Sequence, residues 1–253
     1  MILAIDVGNT NIVLGGIDKS GISFIARLST SRHKTADEYA IVLKELLAIY
    51  DVEPLSFEGS IISSVIPETG ALAASVQKIT GKRPIVVSPG IKTGLNIRID
   101  NPAQLGSDLV VAAVAALAEY NAPIIIIDMG TATTFSVIDR KKNFLGGTIH
   151  AGVMVSLNAL TSNTAQLQQV ELIKPANVIG TNTVDSLKSG LLYGNASMVD
   201  GMIDRIEDEL GEKTTIIATG GLAENIVPYC KHSIKYDAGL LLKGLLLIYD
   251  KNK

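Results

Sequence analysis

Tryptophan is absent from this 253-residue chain, cysteine occurs once, at Cys230, and histidine three times. One thiol cannot build an internal disulfide framework, and three scattered histidines form no ligand cluster of familiar metal spacing. Charge of one sign is lacking too. The 22 basic and 25 acidic residues are interspersed, for a net charge of -3 with no Lys/Arg block, which argues against a nucleic-acid footprint and for a small-molecule partner. No run approaches the roughly 18 apolar residues of a membrane span. No basic, apolar, small-residue leader precedes Asp6, so a cytoplasmic protein with no membrane partner is expected. Three nucleotide-binding signatures are missing as well: G-x-x-x-x-G-K-[ST], a G-x-G-x-x-G after a strand, and the H-R-D loop.

What is present is self-similarity. In "AIDVGNTNIVLGGID" (4–18) an apolar strand meets Asp6, then Gly-Asn-Thr-Asn, then a second apolar strand; "IIIIDMGTATTFSVID" (124–139) repeats the pattern. From Asp6 to Asp18 is 12 positions and from Asp128 to Asp139 is 11. Later in each half, "GSIISSVIP" (59–67) and "TIIATGGLA" (215–223) are apolar strands running into small-residue turns. The chain therefore reads as a duplicated α/β domain with mixed sheets flanked by helices, divided near residues 118 to 122 into 1–118 and 119–253. Between the strands, Thr35 with Glu38 is a capping box opening a helix from about Ala36 to Tyr50. Residues 107–120 predict an Ala-rich helix, and 184–210 a long helix interrupted at Gly190 and Gly194. The run "LLLKGLLL" (240–247) is broken by Lys243 and Gly244 and reads as a core helix or a dimer contact.

A turn of Gly, Asn and Thr lets a polyphosphate approach backbone N–H groups, and a carboxylate just before it can hold a hydrated Mg²⁺. Asp6, Gly8, Asn9, Thr10 and Asn11 offer that set, although Gly and Asn also suit an ordinary tight hairpin. The second copy at Asp128 favours the functional reading, because an acid at a strand end is costly to bury. Asp108, at the start of the 107–120 helix, is either a helix cap or a carboxylate placed to accept a proton from an alcohol. His150 reads as a surface or packing residue and Cys230 as a small core hydrophobe.

Asp6-Val7-Gly8-Asn9-Thr10, the run from Asp128 to Thr134 and Ala218-Thr219-Gly220-Gly221-Leu222-Ala223 resemble the two phosphate motifs and the adenosine motif of the acetate and sugar kinase, actin-like ATPase superfamily. Within it the chain resembles the type III pantothenate kinases, through "TADEY" (35–39), "ISSVIP" (62–67), "TGLNIRIDNPAQLGSD" (93–108), "GGTIHAG" (146–152), "IGTNTVDSLKSGLLYG" (179–194) and "DAGLLLKGL" (237–245). The resemblance implies duplicated actin-like (ribonuclease H-like) domains with an ATP cleft between them. It also implies a homodimer that phosphorylates pantothenate from ATP at the first step of coenzyme A synthesis, with Mg²⁺ and a monovalent cation (K⁺ or NH₄⁺). Carried over by position, Asp6, Val7, Gly8, Asn9, Thr10, Asn11, Ile12, Val13 and Thr131 would bind ATP and its phosphates. Asp6 would hold Mg²⁺ through water, and Asp128 the monovalent cation. Gly106, Ser107, Asp108, Leu109 and Thr183 would face the substrate, with Asp108 as proton acceptor. Leu109 stands where the family has an arginine for the acid end of pantothenate, Ile99 where many members have an aromatic residue, Ser136 where aspartate is usual and Ala151 where proline is. A kinase for another small alcohol, or a catalytically weak nucleotide-binding homologue with a regulatory role, are the other readings.

Overall fold

A computed structural model describes residues 1–67 and 69–253. In chain order the strands and helices are β1 (Ile2–Val7), β2 (Asn11–Asp18), β3 (Gly21–Ser29), α1 (Ala36–Ile49), β4 (Ser60–Ser64), α2 (Gly70–Thr80), β5 (Ile85–Val86), β6 (Asn96–Ile97), α3 (Ser107–Glu119), β7 (Ile124–Met129), β8 (Ala132–Ile138), β9 (Asn143–Ala151), α4 (Val153–Ser162), α5 (Thr183–Ser189), α6 (Asn195–Leu210), β10 (Thr215–Thr219), α7 (Ala223–Ile226), β11 (Lys235–Tyr236) and α8 (Leu240–Asn252). They pack into two units. Unit 1 holds Met1–Leu95, Asp100–Ala118 and Gly239–Lys253; unit 2 holds Asn96–Ile99 and Glu119–Ala238.

In unit 1 the sheet order is β3-β2-β1-β4-β5, with β1 antiparallel to β2 and parallel to β4. Every residue of β1 is buried, so the period-2 alternation of a strand fills two different cores. Leu3, Ile5 and Val7 join Leu43 and Leu47 of α1 and Leu72 and Val76 of α2. On the other face Ile2 and Ala4 join Val111 and Val114 of α3 and Leu242, Leu245 and Ile248 of α8. Asp6 continues the second series, so its side chain lies on the α3 face, at the carboxyl end of the strand.

Unit 2 repeats the plan. Its sheet runs β11-β10-β7-β8-β9-β6, and within it β9-β8-β7-β10-β11 follows the same order and directions as β3-β2-β1-β4-β5. The duplicated α/β plan read from the sequence, and the ribonuclease H-like architecture its family resemblance implies, are thus explicit in the strand order. Ile125, Ile127 and Met129 of β7 face a core completed by α4, α6 and α7, while Asp128 shares the opposite face with Ile124 and Ile126.

Several local features follow from the sequence as expected. The Glu38 N–H donates to Thr35 Oγ1 at 3.3 Å and the Thr35 N–H to Glu38 Oε2 at 2.7 Å, which is the capping box of α1. The interrupted helix is α5, a π-type turn over Gly190–Gly194, and α6, which ends on the left-handed Gly211. Two segments lie elsewhere than a single cut near residue 120 would put them. β6 adds to unit 2 by pairing Asn96 with Asn143 and Ile97 with Phe144. α8 belongs to unit 1 because its apolar residues, three to four apart, complete the core behind β1 and β4, and because Gly244 lies against the Val111 carbonyl of α3. The run "LLLKGLLL" is accordingly core, and no helix among the described residues is long and apolar enough to cross a membrane.

Candidate active site

The tip joining β1 to β2 is a closed turn, with the Gly8 N–H donating to the Asn11 carbonyl at 2.9 Å. Thr30, just after β3, braces it from the side. Its hydroxyl donates to the Gly8 carbonyl at 2.8 Å and its N–H to the Thr10 carbonyl at 2.9 Å. With three carbonyls drawn inward, the exposed tip at Asn9, Thr10 and Asn11 has the polarity an anionic ligand requires. Val7 and Ile12 are buried in the core of unit 1, so only their backbone faces toward a ligand. Nothing in the Ser-Thr-Ser run around Thr30 distinguishes it from a loop; its role is visible only once β3 is laid beside β2.

The β7–β8 turn is built the same way. The Gly130 N–H donates to the Ala132 carbonyl at 3.0 Å, so this turn is one residue shorter than the first, as the 12- and 11-residue spacings require. Thr131 is exposed at the tip, and its carbonyl accepts from the Gly152 N–H at 3.0 Å, which ties the start of α4 to the turn. Asp128 pairs across strands with Thr134 and with Thr219 at the end of β10. The adenosine-like motif therefore begins beside Asp128. Gly220 takes φ +93°, and a Cβ built on it would stand 2.5 Å from Asp128 Oδ1 and 2.6 Å from the Met129 nitrogen. Thr134 Oγ1, on the Asp128 face, is buried with no hydrogen-bond partner among the described residues. Ser136, further along that face, is also buried.

Asp108 is the second residue of α3, past the position a cap would take. Its Oδ1 accepts from the Leu109 N–H at 2.9 Å. Burial pushes its carboxyl above the ordinary aspartate value, and that backbone bond offsets only part of the shift. Gly106 is what allows this placement, because a Cβ there would overlap Asp108 Oδ1. Strand register brings Asp6 opposite Ser63 of β4, and Ser107 is hydrogen-bonded to Ser63 and Ser64. Within unit 1, Asp6 and Asp108 thus share one face and one end of the sheet.

Thr183 is the exposed first residue of α5 and makes no hydrogen bond to either turn among the described residues; its neighbour Asn182 caps the helix by accepting from the Asp185 N–H at 2.9 Å. His150 is exposed, with Nδ1 at 2.8 Å from the Ala151 carbonyl oxygen. Cys230 is half-buried, and burial together with the Asp200 carboxylate pushes its thiol up to about 12, which leaves it chemically quiet.

Within unit 1, an acid-and-hydroxyl turn and a half-buried carboxylate on a glycine-relieved helix start are suited to phosphoryl transfer to an alcohol, and unit 2 carries a second such turn. Known proteins agree with that chemistry. A family model described as type III pantothenate kinase matches residues 2–205. A type III pantothenate kinase of Exiguobacterium sp. (strain ATCC BAA-1283 / AT1b) is 46% identical over 254 residues, covering 100% of both chains. That of Bacillus cytotoxicus is 43% identical over 256 residues, covering 100% of this chain and 97% of the relative. Among solved structures, the activator of 2-hydroxyisocaproyl-CoA dehydratase from Clostridium difficile, with bound ADPNP, superposes with a TM-score of 0.57 at 12% identity, over 98% of this chain and 93% of that one. At that identity the likeness is one of fold.

Proposed function

Because the chain belongs to the type III pantothenate kinase family, we infer that it transfers the γ-phosphoryl group of ATP to the primary hydroxyl of pantothenate, the first step of coenzyme A synthesis. The observation that carries the residue-level reading is Asp108, a carboxylate raised by burial at the mouth of a helix on the same sheet end as Asp6. A base with a raised pKa holds a proton more firmly as the alcohol gives it up to attack phosphorus. The braced tip at Gly8–Asn11 would receive the phosphates of ATP, and Thr131 would contact them from the second turn.

The donor chemistry fits the cations. Mg²⁺ prefers one or two carboxylates plus water and phosphate oxygens, and Asp6 would supply a carboxylate at the strand end. For K⁺ or NH₄⁺ the support is the Thr134 hydroxyl, buried without a hydrogen-bond partner among the described residues and directly across from Asp128. When bound, the metal neutralises charge on the phosphates. Asp108 would orient the hydroxyl and take its proton at a carboxylate oxygen.

The test is a coupled ADP-release assay with ATP, Mg²⁺ and K⁺. ADP release should depend on pantothenate, with 4′-phosphopantothenate confirmed by mass; ATP hydrolysis that ignores pantothenate would overturn the assignment. Leu109→Arg belongs in the same assay. If the contact the family makes with the acid end is simply missing here, the variant should lower the pantothenate KM about tenfold to a hundredfold, the worth of one charge-assisted hydrogen bond. An unchanged KM would mean that another group already holds the carboxylate.

The reading includes a homodimer through unit 2. Beyond Phe144, β9 has no strand partner on its β6 side among the described residues, and Leu145 and Ile149 of β9 with Met154, Val155 and Leu160 of α4 are exposed. An edge strand with apolar neighbours is a surface that folded proteins cover. Light scattering should return twice the 26.7 kDa chain mass, and Ile149→Glu should lower it toward one chain; a wild-type monomer would refute the dimer. Soluble substrates and a free thiol suit the cytoplasm.

A further inference from the structure

Ser107 was expected at the substrate, yet its hydroxyl has nothing left to give. Ser107 Oγ donates to the Ser64 carbonyl at 2.9 Å and accepts from the Ser64 N–H at 3.0 Å. Its one proton is thereby committed, so the remaining contact, Ser63 Oγ at 3.0 Å, must have Ser63 as the donor. One donor and two acceptor sites is the full capacity of a serine hydroxyl.

The partners explain why such a bond exists. Along a strand the backbone groups of alternate residues point to the same side. On β4 the Ile62 carbonyl accepts from the Val87 N–H at 2.8 Å, just past β5, so Ser64 two residues on presents its N–H and carbonyl toward the same side. β5 pairs only with Ile61 and Ile62 and does not reach Ser64. The Ser107 hydroxyl takes the missing strand's place and binds both groups. The first turn of α3 is thereby fastened to the edge of β4, whose other neighbour is the strand that carries Asp6.

We propose that Ser107 is a positioning residue for Asp108: its hydroxyl, in place of a strand, holds the start of α3 against β4 and so fixes the carboxylate that receives the proton. The proposal rests on Asp108 being the base. Gly106 contributes from the other side by leaving room for the carboxylate. The carboxylate accepts from the Leu109 N–H of the same helix start, so its position is set by where that helix start is held.

The experiment is a double-mutant cycle on the full chain. Ser107→Ala should lower kcat about 10- to 100-fold, the scale of a misplacement of about 1 Å, while the KM for ATP stays within about twofold, since the phosphate turns are untouched. Ser107→Thr, which keeps the hydroxyl, should recover most of the rate. In the Asp108→Asn background the Ser107→Ala change should cost little further rate, because a residue acting through Asp108 has nothing to act on. A full additional loss there, or a kcat undiminished in Ser107→Ala, would overturn the proposal. Should Ser107→Ala unfold, Ser63→Ala removes one of the three bonds and should give a smaller kcat loss with the same non-additivity; additive loss again counts against it. If Asp108→Asn by itself leaves turnover intact, it is the base assignment that fails, so the two failures are distinct.

Discussion

Asp108→Asn is expected to lower kcat by about 10² to 10⁴, the usual worth of a general base, while leaving the thermal midpoint unchanged or higher. The rate loss follows from removing the proton acceptor, and the stability half from burial, which raises this carboxyl above its ordinary value. A carboxyl whose folded pKa lies above the unfolded one is stabilising in its protonated form. Its contribution is fully present below the unfolded pKa and is lost as pH rises through the folded pKa. At neutral pH the ionised Asp108 therefore works against the fold, and an isosteric amide relieves that penalty. The gain of the Asn variant over the wild type should vanish on acidification below both values. In the same way, the acid limb of wild-type kcat/KM should have its inflection above the ordinary aspartate value of 3.8. Midpoints from thermal scans at pH 7.5 and pH 3, beside single-turnover rates, check both halves. A midpoint that falls in the Asn variant would mean that Asp108 is a structural residue of the first turn of α3. Retained turnover would remove it as the base.

Gly220→Ala should produce a large loss of stability. The φ of +93° is unfavourable for any residue with a Cβ, at about 1–2 kcal/mol. The added methyl would also press on the Met129 backbone and on Asp128 Oδ1, at 2.6 and 2.5 Å. Overpacking of that kind costs about 1–3 kcal/mol, and here the neighbouring backbone is held in the register of β7 with β10 and cannot yield cheaply. The sum, about 2–5 kcal/mol, corresponds to a fall in the midpoint of roughly 5–15 °C for a chain of this size. Because Asp128 is one of the atoms displaced, the activation by K⁺ expected at that carboxylate should weaken as well. A midpoint within a degree of wild type would show that the end of β10 can shift to admit the methyl, and that the glycine is not required there.

How much of this was legible beforehand depends on the range of the interaction involved. The capping box at Thr35 and Glu38 and the two Asp-x-Gly turns between apolar strands are local, and they stand in the structure where the sequence places them. The internal repeat carried more. Two copies of one pattern, each followed later by an apolar strand ending in small residues, sufficed for a duplicated sheet, and both sheets have the same strand order. Family membership followed from motifs spread along the chain.

Long-range placement was a different matter. Asn96 and Ile97 pair with β9, and 239–253 pack behind β1, because of register and core shape, which no window of neighbouring residues encodes. Thr30 and Ser64 look like ordinary loop and strand-end residues until the chain brings them beside Gly8 and Ser107. Sequence alone determined the chemistry, because a carboxylate, a glycine and a hydroxyl mean the same thing wherever they lie. Only the tertiary structure decided which groups are spent on each other and which remain for the substrate. Hydrogen-bond saturation and burial depend on partners dozens of residues away, as Ser107 shows by giving its whole hydroxyl to β4.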